Sequence, residues 1–217
     1  SAGVTSGDRV AGFIPNIPEA VIAMLATASI GAVWSSSSPD FGIKGVLDRF
    51  SQIEPKVLFA ADGYFYNGKR FDSLKKLKGI LKQLPSVEKV VIIPYTNKSP
   101  DISSLSNAVL YDELISGGNA STIEFNQLPF DHPLYIMYSS GTTGLPKSIV
   151  HSAGGTLIQH MKELCLHTNL TRKDTIFYFT TCGWMMWNWL VSSLAVGATV
   201  VLYDGSPFYP NSEAMWK

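Results

Sequence analysis

The sequence YSSGTTGLPK, from Tyr138 to Lys147, directly follows a short apolar run that ends at Met137. It combines two glycines, four serine or threonine hydroxyls and one lysine. Glycine lets backbone N–H groups turn toward an anion, hydroxyls add hydrogen-bond donors, and lysine adds a positive charge. A Ser/Thr/Gly-rich surface turn is the plain alternative. Because Pro146-Lys147 and a second strand of buried type, Ser148 to His151, follow at once, the pattern favours a phosphate-binding loop between two strands.

Two familiar phosphate-binding motifs do not describe this loop. A Walker A loop has four residues between its glycines, then Lys-Ser/Thr, then a helix. Here two residues separate Gly141 from Gly144, Leu145-Pro146 precedes Lys147, and a strand follows. The dinucleotide-binding pattern G-x-G-x-x-G is absent from the sequence as well. The loop therefore predicts phosphate binding of another kind.

Outside the loop, short apolar runs alternate with segments of helical periodicity. Between residues 94 and 129 the chain is rich in Ser, Asn, Gly and Pro, and we predict a surface segment with one short helix at 111–115. The alternation predicts an α/β fold with a mainly parallel sheet and helices on both faces. The predicted strands are 9–14, 32–35, 57–60, 87–93, 134–138, 148–151, 175–181 and 199–203, and the longer helices are 18–31, 44–53, 71–84, 156–167 and 185–196.

The loop resembles that of the adenylate-forming acyl-CoA synthetases, which reads Ser/Thr-Ser/Gly-Gly-Ser/Thr-Thr-Gly-x-Pro-Lys, and it matches at each of these positions. Three further stretches are similar to the members of this family that act on acetoacetate. They are WSSSSPDFG at 34–42, HSAGGTLIQH at 151–160 and GWMMWNW at 183–189. The resemblance implies that the sheet is part of the large N-terminal domain of an adenylate-forming enzyme.

The resemblance also implies an activity: ATP-dependent ligation of acetoacetate to coenzyme A through an acyl-adenylate. ATP, Mg²⁺ and coenzyme A are the implied ligands, with Mg²⁺ bridging the phosphates and no separate metal site on the protein. Lys147 is expected to act in catalysis with Thr142 and Thr143, by offsetting the charge that grows on the leaving pyrophosphate. The expected nucleotide-binding residues are Ser139, Ser140, Gly141, Thr142, Thr143, Gly144 and Lys147.

A pocket for the short acyl group is implied at Trp184, Met185 and Met186. Aromatic and methionine side chains at helical spacing are also typical of a hydrophobic core, so both interpretations stay open. Acetate or propionate is an alternative acid, because acetoacetate is supported by the resemblance alone. His151 and His160 are expected to be structural.

Enzymes of this family are about three times longer and have a second, C-terminal domain. We therefore expect residues 1–217 to be part of the AMP-binding domain, without the C-terminal domain and inactive alone. The adenine loop Tyr-Gly-x-Thr-Glu, the ribose-binding aspartate and the C-terminal lysine of the family do not occur in the sequence. One interpretation is a piece of a ligase. The other is a truncated, inactive copy with at most weak nucleotide binding.

The composition limits the partners. Seventeen basic and seventeen acidic residues cancel, and no basic cluster points to nucleic acid. Two cysteines fit a reducing, cytosolic compartment better than a disulfide framework. The apolar segment from Trp184 to Tyr203 is long enough for a membrane span, but it contains Asn188, Ser192 and Gly197. We therefore predict a buried helix, a glycine turn and a buried strand there. The expected partners are small-molecule substrates, and the oligomeric state cannot be predicted from the sequence.

Overall fold

The computed structural model describes residues 2–118, 122–139 and 144–216. A π-helical turn at Lys162–His167 continues α5, and a 3₁₀ turn at Ser192–Ala195 continues α6. The helices are α1 (Pro18–Ser29), α2 (Ile43–Phe50), α3 (Leu74–Leu81), α4 (Tyr111–Ser116), α5 (Ala153–Met161) and α6 (Met185–Val191). The strands are β1 (Arg9–Phe13), β2 (Val33–Ser37), β3 (Val57–Ala61), β4 (Gly63–Tyr66), β5 (Lys69–Asp72), β6 (Lys89–Ile93), β7 (Ala108–Leu110), β8 (Pro133–Ser139), β9 (Lys147–Ser152), β10 (Thr175–Phe177) and β11 (Thr199–Val201).

In the described part of the chain, seven strands form one main sheet in the order β7-β6-β3-β1-β2-β8-β9. Neighbouring strands run parallel except β8 and β9, which are antiparallel. The exception follows from chain length, because a parallel return needs a crossover of about a dozen residues or more and the β8–β9 connection is shorter. The predicted mainly parallel sheet is confirmed.

Both faces of this sheet are covered by helices, as predicted. Val10 in β1 packs in one hydrophobic cluster with side chains of α1 and α6, including Met24 and Trp187. Ala11, the next residue along β1, lies on the opposite face in a second cluster with side chains of α2 and α3, including Phe50. Side chains of a strand alternate between the two faces, so one apolar run supplies both cores.

Two predicted elements differ from the structure in their extent. In addition, β9 is exposed over most of its length although a buried strand was predicted there, and the predicted surface segment 94–129 contributes strand β7 to the main sheet. The predicted helix 71–84 begins only at Leu74, because β4 and β5 first form an antiparallel hairpin and Phe71 lies in β5. Asn67 and Gly68 turn this hairpin with φ values of +49° and +70°, which is the conformation typical of a tight two-residue turn. The local turn chemistry therefore outweighs the helical spacing of the leucines.

The predicted strand 175–181 ends at Phe177. β10 pairs in parallel with β11 in a separate two-stranded sheet, outside the main one. The residues after it leave the ladder, and the backbone carbonyl of Thr180 accepts a hydrogen bond from the Asn16 side chain at 3.5 Å. A third hydrophobic cluster, which includes Leu164, Ile176 and Leu190, lies under this small sheet.

The apolar segment 184–203 divides as predicted into a helix, a turn and a strand, which are α6, the 3₁₀ turn and β11. The predicted burial of the strand is wrong, because Thr199 and Val201 in β11 are exposed. Within the described ranges, no helix is both long and apolar enough to cross a membrane.

Candidate functional site

The carboxyl ends of the parallel strands meet along one edge of the main sheet. β2 lies on one side of β1 and β3 on the other, so the direction of winding reverses at β1. In open α/β sheets, ligands bind outside the carboxyl ends of the strands near such a reversal. β8 runs parallel to β2 and ends at Ser139, so the glycine-rich loop begins at this same edge.

Ser139 and Lys147 lie opposite each other across the mouth of the hairpin that carries the loop. Their pairing returns Lys147 to the point where β8 ends. The Lys147 side chain is exposed, and among the residues that the structure describes it has no ion-pair partner. Its charge is therefore available to an anion at the loop.

Four of the predicted loop residues, Ser140, Gly141, Thr142 and Thr143, lie outside the described residues. Gly144 is described and has φ +132°, a conformation that side-chain-bearing residues rarely adopt. Among the described residues, no atom lies within 4 Å of a Cβ atom added to Gly144, so it is the backbone conformation that favours glycine there.

The exit of the loop is held by Gln52, which follows α2. Its side-chain N–H donates to the carbonyl of Pro146 at 2.8 Å, and its Oε1 accepts from the Ser148 hydroxyl at 2.9 Å. One amide thus binds the chain on both sides of Lys147. The role of Gln52 could not be predicted from the sequence, because nothing in the sequence around it points to a partner so distant in the chain.

The strand that leads into the loop is held by Tyr138. Its hydroxyl accepts a hydrogen bond from Ser35 at 3.2 Å and donates to the backbone carbonyl of Arg49 at 3.3 Å. The Arg49 guanidinium lies over the rings of Phe41 and Tyr138, at 4.6 and 5.7 Å from their centroids. Burial raises the pKa of Tyr138 to about 12, so the hydroxyl stays a neutral donor at neutral pH.

The segment that contains Trp184, Met185 and Met186 begins at the ends of β1 and β2. The Ser36 hydroxyl donates to the carbonyl of Cys182 at 2.6 Å, and the indole N–H of Trp187 donates to Asn16 at 2.8 Å. A Cβ atom on Gly183 would lie 3.1 Å from the backbone nitrogen of Ser38. Glycine at this position therefore lets α6 begin directly against the carboxyl edge of the sheet.

Trp184 and Met185 point away from the core, whereas Trp187 packs into it. Trp184 is 65% exposed and Met185 is 49% exposed, compared with 0% for Trp187. Met186 is half-buried. The run of apolar residues is therefore divided between a pocket and the hydrophobic core. Its first three residues line cavities, and Trp187 packs in the core.

Two cavities meet at this segment. The first is a groove of about 610 Å³ between β9, α5 and α6, and the second is a cavity of about 580 Å³ with a largely aromatic lining. Met186 lines both. The walls of the groove include Val150, His151, Thr156, His160, Met185 and Met186, and those of the aromatic cavity include Phe41, Tyr64, Tyr178, Phe179, Trp184 and Met186.

Asp204 lies beside the aromatic cavity, in the chain that follows β11. Its carboxylate accepts a hydrogen bond from the backbone N–H of Phe65 at 3.4 Å. Burial raises the pKa of Asp204, while Phe65 and the Tyr95 hydroxyl oppose this shift by hydrogen bonding. Asp204 therefore connects the chain after β11 to the hairpin that follows β3.

The comparisons with known proteins agree with this geometry. The family described as AMP-binding enzyme matches residues 1–217. The acetoacetyl-CoA synthetase of Gallus gallus is 58% identical, over 99% of this chain and 33% of its own length. A malonamoyl-CoA synthetase of Penicillium aethiopicum is 47% identical, over 95% of this chain and 29% of its own length.

The fold is similar to a solved structure as well. The acetoacetyl-CoA synthetase from Streptomyces lividans superimposes with a TM-score of 0.91 and is 50% identical, over 99% of this chain and 32% of the solved one. The chain therefore spans about a third of the length of the relatives it matches.

Proposed function

The chain belongs to the family of AMP-binding enzymes, and from this membership we propose that the full-length protein ligates acetoacetate to coenzyme A in an ATP-dependent reaction. The observation that carries the proposal is the arrangement at the carboxyl edge of the sheet. There the loop that closes between Ser139 and Lys147 begins beside the segment that exposes Trp184 and Met185. The identity to enzymes named acetoacetyl-CoA synthetase supports the choice of acid.

In the first half of the proposed reaction, a carboxylate oxygen of the acid attacks the α-phosphate of ATP and pyrophosphate leaves. This step needs no protein nucleophile, so catalysis consists of positioning and charge stabilisation. We assign Lys147 to the charge that develops on the leaving pyrophosphate. The β- and γ-phosphates are assigned to the loop residues Ser139, Ser140, Gly141, Thr142, Thr143 and Gly144.

Magnesium enters this proposal as part of the nucleotide substrate. Across the described ranges, no three His, Cys, Asp or Glu side chains form a group that could hold a metal ion. Mg²⁺ commonly keeps several waters and binds substrate phosphates with few protein ligands. Phosphate oxygens and loop hydroxyls fit that preference.

In the second half, the thiol of coenzyme A attacks the acyl carbon of the adenylate. We assign Met185 and Met186 to the walls around the acyl group, with Trp184 at the entrance, because these side chains line the two cavities that meet there. The acyl groups in the relatives' names, acetoacetyl and malonamoyl, share a carbonyl on carbon 3. Acetate and propionate lack it, so the shared chemistry favours a 3-oxo acid as the substrate of this chain.

We also place the protein in the cytosol. Cys165 and Cys182 are both free thiols, which suits a reducing compartment. Cys182 is buried, and burial raises the pKa of its thiol, so it stays unreactive.

The test is acid-dependent exchange of labelled pyrophosphate into ATP, measured on the full-length protein and on residues 1–217. We expect exchange with acetoacetate in the full-length protein, at a higher kcat/KM than with acetate or propionate. A higher kcat/KM with acetate or propionate would show that acetoacetate is not the preferred acid. A folded full-length protein that binds ATP and gives no exchange with any of the three acids would overturn the proposed activity.

A further inference from the structure

His160 is a buried polar group in the wall of the groove beside Met185 and Met186. It is 7% exposed, and its Nδ1 lies 2.7 Å from the hydroxyl oxygen of Ser192. That bond fixes the plane of the ring and matches the structural role expected from the sequence. It occupies one ring nitrogen. Among the described residues, the other nitrogen, Nε2, has no hydrogen-bond partner, so it is the polar atom left for a ligand.

The Ser192 hydroxyl has two acceptors within reach. Besides His160, it lies 2.9 Å from the backbone carbonyl of Asn188. A hydroxyl has a single hydrogen, so it donates to one of them at a time. The Asn188 carbonyl also accepts the backbone N–H of Ser192. If the hydroxyl turns to His160, the Asn188 carbonyl therefore keeps a partner.

The direction of the hydroxyl decides what His160 offers to the groove. When Ser192 donates to Nδ1, the hydrogen of a neutral imidazole must be on Nε2, which is then a donor. When Ser192 donates to Asn188, Nδ1 carries the hydrogen and Nε2 is an acceptor. A ligand with an acceptor oxygen favours the arrangement in which Ser192 donates to Nδ1 and Nε2 carries the hydrogen. The Asn188 carbonyl still accepts the backbone N–H of Ser192 in that arrangement.

The surroundings keep the imidazole neutral. Burial lowers the pKa of His160, the nearby His151 lowers it further, and Glu163 acts in the opposite direction. Glu163 is engaged by Lys162 at 2.9 Å and by Gln159 at 3.0 Å. The groove therefore presents a neutral hydrogen-bonding atom between thioether and aromatic side chains, which suits a neutral carbonyl better than a second carboxylate.

We propose that His160 is a specificity-determining residue, whose Nε2–H donates a hydrogen bond to the carbonyl oxygen on carbon 3 of the acid while Ser192 donates to Nδ1. This inference rests on the proposed ligase function. A short fatty acid that lacks this oxygen would cover Nε2 without giving it a hydrogen-bond partner. A site that contains a buried hydrogen-bonding group rejects such an analogue by more than a missing methylene would allow.

Acetoacetate and butyrate test this directly, because they have the same carbon chain and differ by the oxygen on carbon 3. The measurement is kcat/KM for acid-dependent pyrophosphate release by the full-length protein. In His160→Phe, we expect the acetoacetate-to-butyrate ratio to fall by on the order of 10- to 1,000-fold, with butyrate changed little. In Ser192→Ala, the ratio falls less, because the ring stays but its Nδ1 partner is lost.

Two further variants separate hydrogen bonding from structure. His160→Gln retains an N–H donor and is expected to keep part of the preference, whereas His160→Met, which has a similar size to Gln but no donor, is expected to lose it. Ser193→Ala is the matched control, because Ser193 is the buried neighbour of Ser192 and its hydroxyl has no hydrogen-bond partner in the described structure. We expect an unchanged ratio in Ser193→Ala, with circular dichroism confirming that each variant is folded.

The outcomes distinguish the two proposals. If none of the acids supports pyrophosphate release, the ligase function is overturned, and this inference with it. An active protein in which His160→Phe or His160→Met slows the reactions of acetoacetate and butyrate by the same factor would overturn the role of His160 alone and leave the ligase function standing. A wild-type protein that uses the two acids equally would do the same.

Discussion

Lys147 occupies the first position of β9, opposite Ser139, with its amine in solvent. An exposed lysine contributes little to the stability of the fold, whereas a charge beside a leaving pyrophosphate contributes to the transition state. A substitution of Lys147 can therefore distinguish a contribution to stability from a contribution to catalysis. We expect removal of the charge to lower the reaction rate and to leave the free energy of unfolding nearly unchanged.

Lys147→Ala is expected to slow adenylation on the order of 10- to 1,000-fold in the full-length protein, because one charge partner of the transition state is lost. Single-turnover formation of the acyl-adenylate measures this step. Lys173→Ala serves as a control, since Lys173 lies in the loop before β10 and is exposed. Equal rates for wild type and Lys147→Ala would rule out the assigned role.

Asp204 gives a prediction about pH. Because its pKa is raised in the fold, the native state binds the proton more tightly than the unfolded state does. Its contribution to stability is therefore largest below the unfolded pKa of about 4 and declines as the pH rises through the folded pKa. Asp204→Asn should abolish that decline.

Urea denaturation of residues 1–217 at a series of pH values checks this, with Asp174→Asn as the comparison. Hydrogen bonds from Thr171 lower the pKa of Asp174, so its stabilising contribution is present at neutral pH and is lost as the pH falls. The two variants should therefore deviate from wild type with opposite pH dependence. Parallel curves for wild type and Asp204→Asn would contradict the assignment.

At the scale of elements, the loop is held by residues that belong to other parts of the sheet. Gln52 follows α2 and binds Pro146, a separation of 94 residues along the chain. Removing its hydrogen bonds to Pro146 and Ser148 leaves the strands intact but frees the backbone next to Lys147. Lys147 then keeps its charge but is no longer held in a fixed position.

Gln52→Leu is expected to reduce the adenylation rate on the order of 10-fold, because small displacements of a catalytic group are costly. The matched control is Gln83→Leu, since Gln83 lies just after α3 as Gln52 lies just after α2, and its amide bonds the carbonyl of Gly79 nearby. Pyrophosphate exchange measures both. A normal rate in Gln52→Leu would show that the β8–β9 hairpin alone positions Lys147.

These elements also show what the sequence could and could not predict. The two strands that flank the glycine-rich loop, β8 and β9, were predicted correctly because their signals are local: an apolar run, a glycine-rich turn and a second run. The β4–β5 hairpin was missed although Asn67-Gly68 carried a local turn signal, because the leucine spacing that follows was extended backward over Phe71. Gln52 and the His160–Ser192 pair could not be predicted, since their partners are close only after folding.

At the scale of the whole molecule, α6 connects two hydrophobic clusters. Trp187 and Val191 pack in the cluster on one face of the main sheet, while Leu190 packs in the cluster under β10 and β11. Both sets are nearly inaccessible to solvent. Because one short helix packs in both clusters, we expect the two clusters to unfold together.

Leu190→Ala should therefore destabilise residues 1–217 as a unit, by about 2–5 kcal/mol, the usual range for a fully buried leucine. The expected result is a single denaturant transition, shifted to lower urea, with near-UV and far-UV circular dichroism coinciding. Leu194→Ala, a leucine of the adjoining 3₁₀ turn that is 44% exposed, should shift it far less. Two separate transitions in Leu190→Ala would show that the cluster under β10 and β11 unfolds independently. The groove beside His160 would then lie at the boundary between two folding units, because α6 forms one of its walls.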